Sequence, residues 1–141
     1  MTFKAFIDKY NNKFYDMNGF PKDNPFQCMD IMRGYLKEVL VYGFFELPAT
    51  TYAKNVYKQF VPTKRFVKVP NTPTNVPKQG DIIFWDGPVI GITGIAGHVA
   101  IYWDGDVKSF VSFEQNWPTK SPCHLQRHSY RGVLGWLHPV K

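Results

Sequence analysis

The sequence has few cysteines: only Cys28 and Cys123 occur in 141 residues. A small domain that depends on disulfides usually carries four or more, so this composition favours reduced thiols and a fold held by its core. Long apolar runs are also lacking, since the longest, Val39 to Phe45, is far shorter than the roughly 20 residues of a membrane span. The stretch from Met1 to Phe14 lacks the apolar segment typical of a signal peptide. These absences argue against a disulfide scaffold, membrane insertion and signal-directed secretion.

Acidic residues are missing from Leu47 to Gly80, although this stretch contains six Lys and Arg residues. The whole chain has 17 Lys and Arg against 11 Asp and Glu, which gives a formal charge of +6. Such a charge favours anionic surroundings such as wall polymers, nucleic acid or acidic membranes, but it does not choose among them. Keeping a small domain in solution is an equally good explanation. No recognised nucleic-acid-binding motif is present, so nucleic acid is not expected as a partner.

The hydrophobic pattern changes in the middle of the chain, between a part of about residues 1–60 and a part of about residues 66–141. The first part repeats apolar side chains at helical spacing and predicts three helices, the second starting near Cys28 after Asn24-Pro25. Four prolines between Pro62 and Pro77 exclude long helices. Alternating patterns then predict strands at Phe66–Val69, Asp81–Trp85, His98–Trp103, Ser109–Glu114 and Val133–Leu137. Helices followed by antiparallel strands predict one α+β domain over residues 1–141.

Cys28 is the first candidate for chemistry. A thiol attacks as thiolate, and the positive end of a helix favours that form. Because Cys28 falls in the opening turn of the predicted second helix, unpaired backbone N–H groups there are also available to hold an oxyanion. Taken alone, however, a free cysteine is more often a small buried apolar residue than a nucleophile.

His98 and the segment from Glu114 to Trp117 supply candidate partners for that thiol. His98 opens a predicted strand after a glycine-rich loop, a rigid place for a general base, and alternation sets it on the opposite face from Val99. Glu114 and Asn116 lie at the end of the next predicted strand and just after it. Strand alternation predicts that they point to one face beside His98, where a carboxylate or amide can accept the imidazole N–H. Alone, each has an ordinary explanation as a structural histidine or a surface acid.

Four segments taken in order resemble the CHAP family of cysteine, histidine-dependent amidohydrolases and peptidases, in particular the CHAP domains of bacteriophage endolysins. They are Phe26-Gln27-Cys28-Met29-Asp30, Pro77 to Phe84, Gly97-His98-Val99-Ala100-Ile101 and Glu114-Gln115-Asn116-Trp117. The resemblance extends over nearly the whole chain. It implies a papain-like α+β fold in which a cysteine at a helix N-terminus faces a histidine on an antiparallel sheet.

The resemblance also implies an activity, the hydrolysis of peptidoglycan amide bonds in Gram-positive cell walls. In this interpretation Cys28 attacks the carbonyl, His98 transfers the proton, Glu114 orients His98 and Asn116 supports the site. The backbone N–H of Cys28, with Gln27 nearby, would hold the oxyanion, while Gly97 leaves room for substrate and Trp117 contacts it. A protein of this kind is phage-encoded, made in the host cytoplasm without a signal peptide and active on the wall, or is part of the virion.

Calcium is a further expectation from the resemblance, because some phage CHAP domains hold it in a loop before the cysteine. Asp16, Asn18 and Phe20 have the alternating spacing of such oxygen ligands, and Asp30 would complete the shell. Asn18 departs from the expected carboxylate, and an Asx-rich turn without metal explains the same residues. Cys123, His124 and His128 are too few for a structural zinc site.

Two other functions compete with wall hydrolysis. A related cysteine peptidase acting on protein or isopeptide bonds would use the same residues. A non-catalytic module that binds anionic polymers would instead use the basic stretch from Leu47 to Gly80, and its binding would depend steeply on salt. The bond cut, the host and the oligomeric state are not encoded in any motif.

Overall fold

The computed structural model describes residues 1–15, 28–42, 46–48 and 50–140. These residues form three helices followed by six strands, and the α+β class predicted from the sequence is confirmed. The helices are α1 (Phe3–Tyr10), α2 (Cys28–Glu38) and α3 (Ala53–Gln59), and the strands are β1 (Phe66–Pro70), β2 (Ile82–Trp85), β3 (His98–Gly105), β4 (Ser109–Glu114), β5 (His124–Ser129) and β6 (Val133–Pro139).

The helix α2 begins at Cys28 and carries the core of the helical layer. Its side chains at Ile31, Met32, Tyr35 and Leu36 are buried, as expected for residues three and four apart on one helix face. Burying one such aliphatic side chain stabilises the fold by about 1.5–3 kcal/mol. Since this face packs against the sheet, its burial fixes the first turn of α2 relative to the strands.

The six strands form one sheet in the order β1-β6-β2-β3-β4-β5, and every neighbouring pair is antiparallel. Trp85 at the end of β2 is paired with His98 at the start of β3. On the other side of β3, Ile101 is paired with Phe113 of β4. Because the two strands are antiparallel, the start of β3 and the end of β4 lie side by side at the same end of the strands.

Both faces of the central strands β2 and β3 are buried, which the alternation of β3 alone did not predict. The helices cover the face that carries Val99 and Ile101. The opposite face holds a second core around Trp85, Ala100 and Trp136. His98 lies on this second face and is only 4% exposed. The histidine is therefore held in a packed environment and not on an open surface.

The strand β5 (His124–Ser129) is absent from the predicted strands. Its residues alternate between half-buried and exposed, and polar side chains predominate because it lies at the edge of the sheet. Without an apolar face, the segment gave no period-2 hydrophobic signal. Across the described residues, none of the helices has the length and apolar character to cross a membrane.

Candidate active site

The start of α2 and the start of β3 bring Cys28 and His98 together. Cys28 is the first described residue of α2 and is half-buried, and its thiol forms no disulfide. Cys28 and His98 line the same cavity, and Cys28 lies close enough to the imidazole to raise the pKa of His98. Glu114 fixes the orientation of the His98 ring, because its Oε2 lies 2.5 Å from His98 Nε2. Because Nε2 faces the carboxylate, Nδ1 is the ring nitrogen left to interact with the thiol.

Glu114 is fully buried at the end of β4. Its second oxygen, Oε1, accepts a hydrogen bond from Ser112 Oγ at 2.9 Å and lies 2.5 Å from His128 Nε2. The contact with His128 was not foreseen, because the strand that carries it was not predicted. A buried carboxylate is stable only when its lone pairs are satisfied, and here both oxygens have donors.

His98 and Glu114 each stabilise the charged form of the other. Burial lowers the pKa of His98, but the Glu114 carboxylate and the interaction with Cys28 outweigh it and raise that pKa to about 10. Burial raises the pKa of Glu114, but the charge of His98 and the hydrogen bond from His128 outweigh it and lower that pKa to about 2. At neutral pH the site therefore contains a buried ion pair, the His98 imidazolium and the Glu114 carboxylate.

This pair predicts a pH dependence of stability. The pKa of His98 is 6.5 ordinarily and about 10 when folded, and that of Glu114 is 4.5 ordinarily and about 2 when folded. The contribution of the pair is thus complete between the two ordinary values, is lost from pH 6.5 upward to 10, and is lost from pH 4.5 downward to 2. We expect the Tm of the wild type to fall more steeply above pH 6.5 than that of His98→Gln; parallel Tm profiles would contradict it.

The thiol and imidazole open into a cavity of about 610 Å³. Its walls include Tyr52, Asn116, Trp117 and the loop 91–97. A larger cavity, of about 860 Å³, lies between the N-terminus and β6. No cysteine is among the described residues around it. The smaller cavity is therefore the one where a nucleophile and a base meet.

Gly97 shapes the cavity wall just before His98. Its φ of +71° is in the left-handed region, and a Cβ there would lie 2.3 Å from the Trp85 carbonyl oxygen and 2.9 Å from Lys54 Cβ. The backbone N–H of Lys54 donates to Ala96 O at 3.0 Å, which docks the start of α3 on the loop. Because Gly97 has no side chain, the backbone segments around Trp85, Lys54 and Gly97 can pack closely together, and this packing fixes the position of His98.

A Gly97→Ala substitution is expected to destabilise the protein by about 2–5 kcal/mol, the sum of left-handed strain and overpacking. Gly91→Ala is the matched control, because its φ of +75° is similar but nothing lies within 4 Å of the added Cβ. That control should lose only about 1–2 kcal/mol, from strain. Urea denaturation measures both, and equal losses would show that the contact with Trp85 and Lys54 is unimportant.

Asn116 and Trp117 lie just beyond the end of β4. Asn116 has a φ of +67°, and its Oδ1 accepts a hydrogen bond from the backbone N–H of Lys120 at 2.6 Å. Its side chain therefore closes a local turn at the cavity and does not continue the face of Glu114 as strand alternation predicted. Trp117 is half-buried, with its ring centroid 4.9 Å from that of His98. It forms a wall of the cavity next to the base.

Gln115 was not singled out from the sequence as a site residue, yet it ties the end of β4 to the segment before α2. Its Oε1 accepts from the backbone N–H of Tyr15 at 2.7 Å, and its Nε2 donates to Tyr15 O at 3.0 Å. The buried thiol of Cys123 donates to the same Oε1 at 3.3 Å. This amide clamp helps hold the helical part on the sheet.

The calcium prediction falls mostly outside the described residues, because Asp16, Asn18 and Phe20 are not among them; nor is Gln27. Asp30 is buried in the first turn of α2. Among the residues that the structure describes, no group of three or more His, Cys, Asp or Glu is arranged to hold a metal ion. Calcium binding therefore stays a prediction.

The basic stretch from Leu47 to Gly80 uses several of its cations within the protein. Lys54 Nζ donates to Gly87 O at 2.9 Å, and Lys58 pairs with Asp86 at 3.0 Å. Arg65 pairs with Glu46, and Lys68 lies over the ring of Tyr57. Part of the positive charge thus serves packing, and a role in binding anionic wall polymers stays a prediction.

Comparisons with known proteins found similar structures but no significant sequence match. No family model matches the sequence, and no curated protein matches it significantly. The crystal structure of a wild-type endolysin, LysIME-EF1, is similar with a TM-score of 0.74 and 22% identity, over 96% of this chain and 61% of that chain. Ly7917 with "the hydrolyzing product of MDP" has a TM-score of 0.57 and 16% identity, over 80% of this chain and 53% of that chain. The chain thus spans less than two thirds of either protein, and what it shares with them is the fold.

Proposed function

We propose that this chain is a cysteine hydrolase that cleaves amide bonds of peptidoglycan. The observation that carries the proposal is that Cys28 and His98 line one open cavity, while Glu114 Oε2 lies 2.5 Å from His98 Nε2. A thiol, a base and a group that orients the base are the elements of nucleophilic acyl transfer.

In the first half of the reaction, the thiolate of Cys28 adds to the carbonyl carbon of the scissile amide. The backbone N–H of Cys28, in the first turn of α2, stabilises the oxyanion, a contribution of about 3 kcal/mol per donor in comparable sites. The imidazolium of His98 then donates its Nδ1 proton to the leaving nitrogen. The C–N bond breaks, the amine departs and a thioester remains on Cys28.

In the second half, neutral His98 accepts a proton from a water molecule, whose oxygen attacks the thioester carbonyl. The C–S bond breaks, the carboxylic acid product leaves and the thiolate with its imidazolium is restored. Glu114 keeps the His98 ring in the same orientation throughout, and its charge stabilises the imidazolium. Glu114 is thus a positioning residue, while Cys28 forms the covalent bond with the substrate and His98 transfers the protons.

Peptidoglycan is the proposed substrate because two independent lines point to it. The ordered motifs around Cys28, His98 and Glu114 resemble endolysin CHAP domains. The fold is similar to that of the endolysin LysIME-EF1 over 96% of this chain. A phage-encoded origin and action on the cell wall follow from the same proposal, with anionic wall polymers as a secondary partner.

The experiment is digestion of purified Gram-positive peptidoglycan by the wild type and by Cys28→Ala, followed by mass spectrometry. New amine and carboxyl ends in the wild-type digest alone would support the proposal and identify the bond. A panel of proteins and isopeptides tested in parallel separates wall hydrolysis from the cysteine peptidase alternative. Digestion by Cys28→Ala at the wild-type rate, or an intact wall after both, would refute it.

A further inference from the structure

A second histidine lies on the far side of Glu114 from the base. His128 of β5 brings its Nε2 to 2.5 Å from Glu114 Oε1, while Oε2 of the same carboxylate faces His98. The His128 side chain is 7% exposed and the carboxylate is fully buried. Glu114 is therefore held between two imidazoles in a space with little access to water.

Aromatic rings fix the orientation of His128. Its ring centroid lies 4.9 Å from that of Trp85, 5.0 Å from that of Trp117 and 5.8 Å from that of Phe110. Trp117 also contacts the ring of His98. The titratable group bonded to His128 is Glu114 of β4, and His98 of β3 lies across the shared carboxylate.

The direction of each hydrogen bond follows from the state of the carboxylate. The imidazolium of His98 and the hydrogen bond with His128 keep Glu114 ionised, so it has no proton to give and both histidines donate N–H to it. With Oε1 held by His128 and Ser112, rotation of the carboxylate would break two hydrogen bonds. Oε2 is consequently kept in the direction of His98.

We propose that His128 is a positioning residue of the active site, which locks the Glu114 carboxylate so that His98 is held protonated and aimed at Cys28. This inference rests on the proposed function for its effect on catalysis. Its effect on the thiol, however, exists without any substrate.

The first test measures kcat and KM of peptidoglycan hydrolysis for His128→Leu and His128→Gln. Leucine removes the donor, and we expect kcat to fall about 10- to 100-fold, as for a lost hydrogen bond to a charged group, with KM nearly unchanged. Glutamine places an amide N–H near the position of Nε2 and should recover most of that loss. Equal losses in the two variants would overturn the proposal, because packing alone would then explain them.

The second test follows alkylation of Cys28 by iodoacetamide, with the modified peptide identified by mass spectrometry. At pH 6 the His98 imidazolium favours the thiolate, so His128→Leu should react several-fold more slowly than the wild type. At about pH 10, where thiols ionise unaided, the two rates should converge. Identical rates at pH 6 in folded proteins would overturn the proposal.

His124→Leu is the matched control, because His124 lies on the same strand and its ring binds the Pro122 carbonyl instead of Glu114. It should keep the wild-type kcat and the wild-type alkylation rate, and thermal denaturation shows that each variant is folded. If the wild type opens no peptidoglycan bond, the proposed function fails while alkylation still decides the role of His128. If the wild type is active and His128→Leu matches it in both tests, only the present inference fails.

Discussion

Replacing Cys28 with alanine is expected to reduce the rate of peptidoglycan hydrolysis by at least about 10⁴-fold, because the thioester route is lost with its nucleophile. The sulfur is the nucleophilic atom at the start of α2, and Cys28 lines the same cavity as His98. Removing it leaves the cavity and the base in place, so binding of the wall should persist. The measurement is the release of new amine ends from purified peptidoglycan over time.

Cys123→Ala provides the matched control for this prediction. Cys123 is fully buried and donates to Gln115 Oε1, away from the cavity. We expect its removal to lower the free energy of unfolding by about 1–3 kcal/mol while hydrolysis continues. An active Cys28→Ala protein, or a folded Cys123→Ala protein as inactive as Cys28→Ala, would contradict the assignment.

Glu114→Gln should lower kcat by roughly 10²- to 10⁴-fold, the effect of disturbing the tautomer of a catalytic histidine. A carboxylate accepts from both sides, whereas an amide has one oxygen and one NH₂ group. Because His98 and His128 both donate to Glu114, one of them would face a second donor in the variant. Either the His98 ring flips to present its other nitrogen, or the His128 ring is displaced.

The loss of charge also predicts a shift in the pH profile. Without the carboxylate, burial dominates and the pKa of His98 falls from about 10. The basic limb of the kcat profile, which reports loss of the imidazolium, should therefore move to lower pH. Glu38→Gln makes the same change at a carboxylate bound by Tyr10 and Tyr15, and it should leave kcat unchanged. An unshifted limb in Glu114→Gln would show that Glu114 does not support His98.

Much of the fold was readable because α2 and β3 carry strong periodic patterns. The helix buries Ile31, Met32, Tyr35 and Leu36 at the predicted spacing, and its first described residue is Cys28. The strand β3 begins at His98, where it was predicted to begin. Local patterns of this kind report which face is apolar, and here that was enough to place the thiol and the imidazole in their elements.

The parts that the sequence left open depend on contacts between distant segments. β5 has no apolar face, so neither the strand nor the approach of its His128 to Glu114 left a local signal. Alternation failed at Asn116, because β4 ends at Glu114 and the chain then turns through a positive φ. The burial of His98 escaped prediction for a related reason, since one strand does not reveal a second core on its other side.

The amide clamp between Gln115 and Tyr15 has a consequence for biosynthesis. The two residues that it joins are 100 positions apart, and the base and its carboxylate follow the nucleophile by about half of the chain or more. Such a high contact order means that a ribosome must deliver nearly the whole sequence before the thiol gains its partners. A nascent chain therefore carries Cys28 as an ordinary thiol, and the proposed lytic activity begins only when synthesis of the strands is complete.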